Sequence, residues 1–282
     1  RRSSDLMNDL AIVVVAYGTT DEDQANQTIL PLFASIKEAF PKHTVSLAYS
    51  SMKIVSKIRE RGGQVTSLED CLEGYQVKGF KKVLVEPLFV TEGEALLDLD
   101  KRLRAFVQTH ASMTLHRGEP LIPAGREGNR AVLEALKDYV KPSLEERKNR
   151  HGLLLIGHGG TTVTHRIYEN LQVALDAICP IPLRIGALTG TANIVSQEGL
   201  DNLALWVENH WIDQVHIYPL FYTAGYHVNK DIWGPGPASI CSQLGRRQVD
   251  TVPHLLGLGQ SKLVAKIVIN EISKKIKILL EQ

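Results

Sequence analysis

The same two short segments occur in each half of the chain, in the same order. An apolar run ends at a small-residue turn in residues 13–20 (VVVAYGTT) and again in residues 154–161 (LLIGHGGT). Further along each half, residues 86–95 (EPLFVTEGEA) and 218–227 (YPLFYTAGYH) share Pro, Leu, Phe, Thr and Gly in register. Two matching windows in the same order predict a duplicated fold, in which each half repeats one arrangement of elements.

Short apolar and β-branched runs alternate with longer segments of helical period along both halves. The patterns predict strands at 11–16, 45–49, 83–87, 113–116, 153–156, 183–187, 215–219 and 248–252. They predict helices at 21–40, 52–61, 67–78, 94–109, 129–140, 163–178, 199–211, 238–244 and 262–280. This alternation predicts an α/β fold of two similar domains, each with a parallel sheet flanked by helices, and a ligand cleft between them.

A polar stretch at 141–150 separates the two halves. We therefore divide the chain into an N-terminal α/β domain, residues 1–142, and a C-terminal α/β domain, residues 143–282. The last helix is expected to pack back onto the first domain.

Composition excludes several classes of protein. Lys and Arg number 32 against 31 Asp and Glu, so no broad basic surface is available for nucleic acid. The longest apolar runs are far shorter than the ~20 residues of a transmembrane helix. Cys71, Cys179 and Cys241 form no CxxC pair, and we expect them to be free thiols. Localisation stays open between the cytoplasm and export with a lipid anchor or into the periplasm, because the sequence starts Arg-Arg-Ser-Ser without Met.

The repeated segments end where ligands bind in parallel sheets, beyond the carboxyl ends of the strands. The two halves differ there in chemistry: His158 stands where the first half has Tyr17, and His227 stands where it has Ala95. Neutral imidazole binds borderline transition metals and titrates near physiological pH. The histidine pair therefore predicts a metal site in the second half.

The glycine-flanked His158 and the PLFxTxGxH stretch ending in His227 resemble the anaerobic cobalt chelatases, which insert Co²⁺ into sirohydrochlorin. Ferrochelatases are more distantly similar. The resemblance extends over VVVAYGTT, AYSSMKIVSKIRERG and the long helix after Phe89, nearly the whole chain. It implies a tetrapyrrole in the cleft, with His158 and His227 as metal ligands on one side of the ring.

Two glutamates of the family pattern are replaced in this sequence. The resemblance implies one at Ala95 and one at Thr189, and neither position is acidic. Metal insertion exchanges two pyrrole protons for a divalent cation, so the reaction needs a proton acceptor. Glu94, or Glu92 by a shift of the loop, is the substitute that this sequence offers.

Our site assignment has a catalytic and a ring-binding part. His158, His227 and Glu94 are the predicted catalytic residues, and the two histidines are the metal ligands. The predicted ring-binding residues are Tyr17, Gly18, Gly159, Thr189, Tyr226 and Trp233. Tyr222 is a further candidate for stacking, and Arg166 or Lys230 for pairing with ring carboxylates. His151 and His165 are expected at the surface, and His216 in the core.

Three functions fit these observations. The first is a chelatase that inserts or removes Co²⁺ or Fe²⁺ in a sirohydrochlorin- or haem-type ring. The second is an exported protein that binds haem or another metallated tetrapyrrole, with a transporter as partner. The third is a two-domain solute-binding protein without metal chemistry. In each the partner is a small molecule, and a homo-oligomer stays open.

Overall fold

The protein contains two four-stranded parallel sheets flanked by helices, as its sequence predicts. The computed structural model describes residues 10–146, 150–191, 193–255 and 257–281. The first sheet has the order β2-β1-β3-β4 and the second the order β6-β5-β7-β8. The strands are β1 Leu10–Ala16, β2 Thr44–Tyr49, β3 Lys82–Pro87, β4 Thr114–Arg117, β5 His151–Gly159, β6 Leu183–Thr189, β7 Gln214–Pro219 and β8 Asp250–Pro253. The predicted division of domains falls between the two sheets, and its exact position stays a prediction.

Helices connect the strands of each sheet and cover its faces. They are α1 Glu22–Gln27, α2 Ile29–Ala39, α3 Met52–Glu60, α4 Leu68–Val77, α5 Glu94–Thr109, α6 Arg130–Tyr139, α7 Lys141–Leu144, α8 Thr162–Asp176, α9 Gln197–Asn209, α10 Tyr226–Asp231, α11 Ile240–Gly245 and α12 Lys262–Glu281. A 3₁₀ turn, Leu258–Gln260, precedes α12. Both α7 and α10 lie in segments that the sequence pattern left without a helix.

The central strands are apolar along their whole length because both faces of each sheet are covered. Every residue of β1 is buried. Alternate side chains of this strand enter different cores: Ile12 and Val14 pack toward α2, α6 and α12, and Val13 and Val15 pack toward α4 and α5. The core that holds Ile12 also contains Leu153 and Tyr218 of the second half, so it is continuous between the two sheets.

The helix predicted at 21–40 is interrupted at Thr28, which separates α1 from α2. Thr28 is fully buried, and its hydroxyl donates a 2.6 Å hydrogen bond to the carbonyl oxygen of Gln24. Its backbone leaves helical geometry at φ −124° and ψ −74°. Thr28 also packs closely against Gly257 and Gly259. This contact is remote in sequence, so helical periodicity alone could not indicate the break.

The last helix packs onto the first half, as predicted. One face of α12 is buried against α2 and α6, through residues such as Val264, Val268 and Ile272. Lys82 at the start of β3 donates a 2.9 Å hydrogen bond to the carbonyl oxygen of Leu279. The chain also crosses in the other direction: the Tyr139 hydroxyl at the end of α6 donates to the carbonyl oxygen of Pro219 in β7. These crossings fasten the two halves together.

His151 is buried inside β5 rather than on the surface, so that prediction was wrong. Its ring lies 5.1 Å from the ring of His216, which in turn lies 5.2 Å from that of His254. The Ser143 hydroxyl of α7 is 2.7 Å from His216 Nδ1, and its carbonyl oxygen contacts His151 Nε2. His216 is buried, as expected. The three imidazoles thus bind the connecting helix α7 to the second sheet, and their hydrogen-bond partners explain why His151 is inside.

The three cysteines are free thiols, as the sequence predicts. Cys71, Cys179 and Cys241 are free, and burial raises the pKa of each thiol. Within the described ranges, no helix has the length and apolar character needed to cross a membrane.

Candidate functional site

Loops at the carboxyl ends of the two sheets face each other in pairs. The loop after β1 meets the loop after β7, where an added Cβ atom at Gly225 would lie 3.1 Å from the Thr19 hydroxyl. The loop after β3 meets the loop and helix start after β5, where an added Cβ atom at Gly93 would lie 3.4 Å from the Thr164 hydroxyl. The repeated segments of the sequence therefore contact each other in pairs across the two halves, and a ligand cleft between them stays a prediction.

His158 is exposed at the end of β5 and is held by its backbone. Gly157 and Gly159 flank it; Gly157 lies against the ring of Tyr168, and Gly159 adopts φ +82°. The exposed Thr189 at the end of β6 donates a 2.9 Å hydrogen bond to the carbonyl oxygen of His158. Because a neighbouring strand fixes the backbone, the imidazole is free to meet a ligand without disturbing the sheet.

Glu94 brings a carboxylate of the first half to the turn that follows His158. It is the first residue of α5 and is exposed. An added Cβ atom at Gly160 would lie 3.6 Å from the Glu94 carboxyl carbon and from its Oε1. Gly160 adopts φ +109°, a conformation that favours glycine. The structure thus places the Glu94 carboxylate beside Gly160, which follows His158 by two residues, although Glu94 belongs to the other half of the chain.

Glu92 supports the loop after β3 through both its side chain and its backbone. Its Oε1 accepts a 3.3 Å hydrogen bond from the backbone N–H of Ala124, and its carbonyl oxygen accepts from the Thr164 hydroxyl. Between the two glutamates considered as proton acceptors, the geometry therefore favours Glu94. Ala95 packs against the apolar core between the first sheet, α4 and α5.

His227 is the second residue of α10, which begins just after the Gly225 contact with Thr19. The structure describes its backbone, and the position of its imidazole lies outside the described part. Thr19, which is buried, supports this segment from the first half, and its hydroxyl also accepts a hydrogen bond from the backbone N–H of Asp21. That His227 and His158 share a metal stays a prediction.

The predicted ring-binding residues fall into two groups. Tyr17 and Tyr226 are large exposed side chains, 52% and 64% accessible, on the two loops that meet at Thr19. Gly18 is buried with φ +101°, and an added Cβ atom there would contact the Tyr49 ring at 2.6 Å. Its role in this structure is therefore to turn the loop that presents Tyr17.

Trp233 and Tyr222 differ in how accessible their side chains are to a ligand. The half-buried Trp233 donates a 2.8 Å hydrogen bond from Nε1 to Asn229 Oδ1, which fixes the indole beside α10. Tyr222 is buried in the core that joins the halves, and burial raises the pKa of its hydroxyl above the ordinary value. Stacking of Tyr222 on an exposed ring is therefore excluded by its position.

The remaining polar candidates lie on helices. Arg166 is exposed on α8, and Lys230 is exposed on α10 with its ammonium group 6.0 Å from the centre of the Tyr226 ring. His165 is half-buried, and its Nε2 lies 3.3 Å from Oε1 of Glu169, one turn further along the same helix. Sequence reasoning missed Thr19 and Thr164, whose only signal was a small polar residue near each strand end.

The arrangement can combine a metal ligand with a proton acceptor. His158 supplies an imidazole, Glu94 supplies a carboxylate, and two exposed tyrosines offer aromatic surface at the opposite pair of loops. In the part of the chain that the structure describes, no three His, Cys, Asp or Glu side chains are grouped to hold a metal ion by themselves. The site is therefore suited to an ion that receives further ligands from a bound molecule.

Comparison with known proteins connects this geometry to a family. The family model for cobalt chelatase (CbiK) matches residues 10–277. The sirohydrochlorin cobaltochelatase of Salmonella typhimurium is 21% identical over 96% of this chain and 98% of its own length. SirB from Bacillus subtilis with Fe³⁺ has a TM-score of 0.64 and 16% identity over 94% of this chain and 95% of that chain. The cobalt complex of the sirohydrochlorin chelatase SirB from Bacillus subtilis subspecies spizizenii has a TM-score of 0.60 and 14% identity, covering 95% and 96%.

Proposed function

Because the chain belongs to the cobalt chelatase family, we propose that it inserts Co²⁺ or Fe²⁺ into a sirohydrochlorin-type tetrapyrrole bound between its two halves. The observation that carries the proposal is the meeting of Glu94 from the first half with the His158–Gly160 turn of the second. The curated relative is named for cobalt and sirohydrochlorin, and the two SirB structures hold Fe³⁺ and cobalt.

In the proposed reaction a divalent cation replaces two N–H protons of the ring, so the charge of the complex is conserved. His158 binds the incoming ion through a neutral imidazole nitrogen, and His227 is the second ligand. Glu94 accepts the two pyrrole protons one after the other and releases each to water, which its exposed position allows. Thr189 holds the backbone of His158 and thus positions the ligand without touching the ion.

Tyr17 and Tyr226 contribute the surface on which the flat ring lies in this proposal. Their loops are fixed through Thr19, so the aromatic side chains are exposed on a rigid base. Aromatic side chains stabilise a stacked partner by about 0.5–1.5 kcal/mol beyond the area that they bury. Gly159 permits the close approach of the β5 and β6 ends on the same side.

The test is insertion kinetics followed by ring absorbance, with metal-free sirohydrochlorin and Co²⁺. Glu94→Gln should lower the insertion rate about 100-fold, because it removes the proton acceptor and keeps the shape of the side chain. The exposed Glu208 of α9 provides the matched control, Glu208→Gln, which should retain the full rate. His158→Ala should abolish insertion and also weaken Co²⁺ binding measured by calorimetry without ring. Equal rates for wild type and Glu94→Gln would contradict the assignment of Glu94.

The exported haem-binding protein considered from the sequence receives no support from the matches found. That alternative was based on the absence of glutamates at positions 95 and 189. The carboxylate of Glu94 beside Gly160, two residues after His158, weakens this argument. Haem titration beside the insertion assay separates the two functions. Tight haem binding with no insertion would favour the binding protein.

A further inference from the structure

A groove of about 930 Å³ lies behind the loop that follows β1, along the edge strand β2 of the first sheet. Its walls are the start of α1 and α2 on one side and the end of α3 with residues 61–66 on the other. Ligand sites of proteins enclose about 300–1,000 Å³. The groove is therefore large enough for a macrocycle or a large part of one, and no residue assigned above to the metal centre lines it.

Apolar side chains form much of the groove wall. Leu47 of β2, Ile58 of α3 and Val65 are half-buried, with one side packed against the core and the other lining the groove. Leu30 at the start of α2 lines the opposite wall and is 40% exposed. Partly exposed apolar side chains around a concave surface are typical of sites that bind a flat or amphiphilic molecule.

The rim of the groove carries one cation that is available to a ligand. Arg59 is already paired with Asp70 and donates to the carbonyl oxygen of Val65. Arg61 is exposed, and among the described residues its side chain has neither an ion pair nor a hydrogen bond. Glu22 is the single acid among the lining residues. An apolar wall with an unpaired guanidinium at its edge is complementary to an apolar body that bears carboxylates at its periphery.

Thr19 connects the groove to the candidate metal site. Thr19 lines the groove, and it is also the residue that contacts Gly225 at the start of the His227 segment. The loop after β1 therefore contributes Tyr17 to the candidate site and Thr19 and Thr20 to the groove. A ligand that lies against Tyr17 can extend part of its edge past Thr19 and Thr20 into the groove.

We propose that this groove binds the carboxylate-bearing edge of the tetrapyrrole, with Arg61 pairing with a ring carboxylate and Leu30 and Ile58 contacting the apolar part. The proposal rests on the proposed function for the identity of the ring. Arg61 is in this role a specificity-determining residue: it selects rings with acidic side chains over rings without them.

The experiment measures binding of metal-free rings by fluorescence, so it does not depend on insertion. The probes are uroporphyrin, which carries carboxylates around the ring, and its methyl ester, which has none. Arg61→Gln should weaken uroporphyrin binding about 5- to 10-fold, as expected for loss of one charge-assisted pair, and leave the ester unchanged. Arg104→Gln, an exposed arginine on α5 without an ion pair in the described structure, is the matched control and should change neither.

A second variant tests the groove itself. Ala25 of α1 lines the wall, and Ala25→Trp should fill the groove and weaken both probes. Uroporphyrin binding that is equal in wild type and Arg61→Gln, or absent in wild type, would overturn the proposal. Failure of the proposed function has a different signature: no Co²⁺ insertion by the wild type, with Arg61-dependent uroporphyrin binding intact.

Discussion

The Thr189 hydroxyl donates a 2.9 Å hydrogen bond to the carbonyl oxygen of His158. The two residues lie at the ends of β6 and β5, where Gly159 is the register partner of Thr189. A side chain at position 189 is therefore adjacent to the backbone of the proposed metal ligand. Threonine at position 189, where the resemblance to the cobalt chelatases implies a glutamate, therefore supports the backbone of His158 but carries no charge.

Thr189→Glu should raise the rate of Co²⁺ insertion about tenfold, because a second carboxylate near His158 accepts pyrrole protons and offsets the charge of the cation. Thr189→Ala, which removes the hydrogen bond without adding a charge, should lower the rate modestly. Stopped-flow absorbance on the three proteins measures the effect. A Thr189→Glu rate no higher than that of Thr189→Ala would show that a carboxylate at this position does not act as a base.

Gly160→Ala should lower both stability and insertion rate. Gly160 adopts φ +109°, where a side chain adds strain of about 1–2 kcal/mol, and its backbone nitrogen lies close to Gly190. A methyl group there also reaches van der Waals contact with the Glu94 carboxyl group. Gly128→Ala is the matched control, since Gly128 is exposed with open space around it. Urea unfolding and insertion assays measure the two effects. Equal stability and equal insertion rates for Gly160→Ala and Gly128→Ala would contradict the requirement for glycine at position 160.

Local sequence patterns were sufficient to predict most of the strands and helices. Alternating apolar runs located all eight strands within a few residues, because central strands of a parallel sheet are apolar whatever their neighbours are. The helix break at Thr28 and the burial of His151 could not be predicted from local patterns, since each depends on a contact with another element of the fold. Thr28 packs against Gly257 and Gly259, and His151 reaches the carbonyl oxygen of Ser143 on a helix that the pattern did not show.

The site was predictable in the same uneven way. The repeat located the loops that meet, because carboxyl ends of parallel strands share one edge. The sequence favoured Glu94 as the proton acceptor, but the position of Glu94 beside Gly160 depends on the packing of one half against the other, which local patterns do not show. The groove along β2 could not be predicted from the sequence, because its walls come from four separate elements. That Arg61 is unpaired can be recognised only once its neighbours in the structure are known.

Acid should destabilise the protein through the histidine cluster around α7. Burial, followed by the nearby His216, lowers the pKa of His254 to about 4, and burial also lowers the pKa of His216 while Glu146 opposes it. A lowered histidine pKa means that the unfolded chain binds protons more readily. The stability from the neutral ring is therefore complete above pH 6.5 and is lost as pH falls toward 4. Because His254 is partly exposed, we expect a loss of about 1–2 kcal/mol.

His254→Phe tests this source of acid sensitivity. Phenylalanine keeps an aromatic ring beside Tyr218, on which His254 stacks at 4.0 Å, and removes the titrating nitrogens. The variant should be less stable at pH 7, because the contacts with Ser143 and His216 are lost. Its free energy of unfolding should then decrease less between pH 6.5 and pH 4 than that of the wild type. Parallel curves for the two proteins would assign the acid sensitivity to other groups.

Glu86 should lower the stability of the protein as pH rises from 4.5 to about 8. It lies in β3, is 2% exposed, and faces Lys275 of α12 at 4.0 Å, with Glu119, Glu271 and Arg117 as further charges. Burial raises the pKa of this carboxyl to about 8, and Lys275 only partly opposes the shift. A raised carboxyl pKa means that the folded state holds the proton more tightly. Its stabilising contribution is therefore present below pH 4.5 and is lost as pH rises through about 8.

Glu86→Gln should remove this dependence, because glutamine has nearly the shape of a protonated glutamate and cannot ionise. Relative to the variant, the wild type should lose on the order of 3 kcal/mol of unfolding free energy between pH 4.5 and pH 8.5. Urea denaturation across this range measures the difference, with the exposed Glu134→Gln on α6 as the control that should follow the wild type. Since Glu86 lies where α12 returns to the first sheet, the same series reports how firmly that helix is held. A wild-type curve parallel to that of Glu86→Gln would mean that Glu86 is ionised in the folded protein and paired with Lys275 throughout.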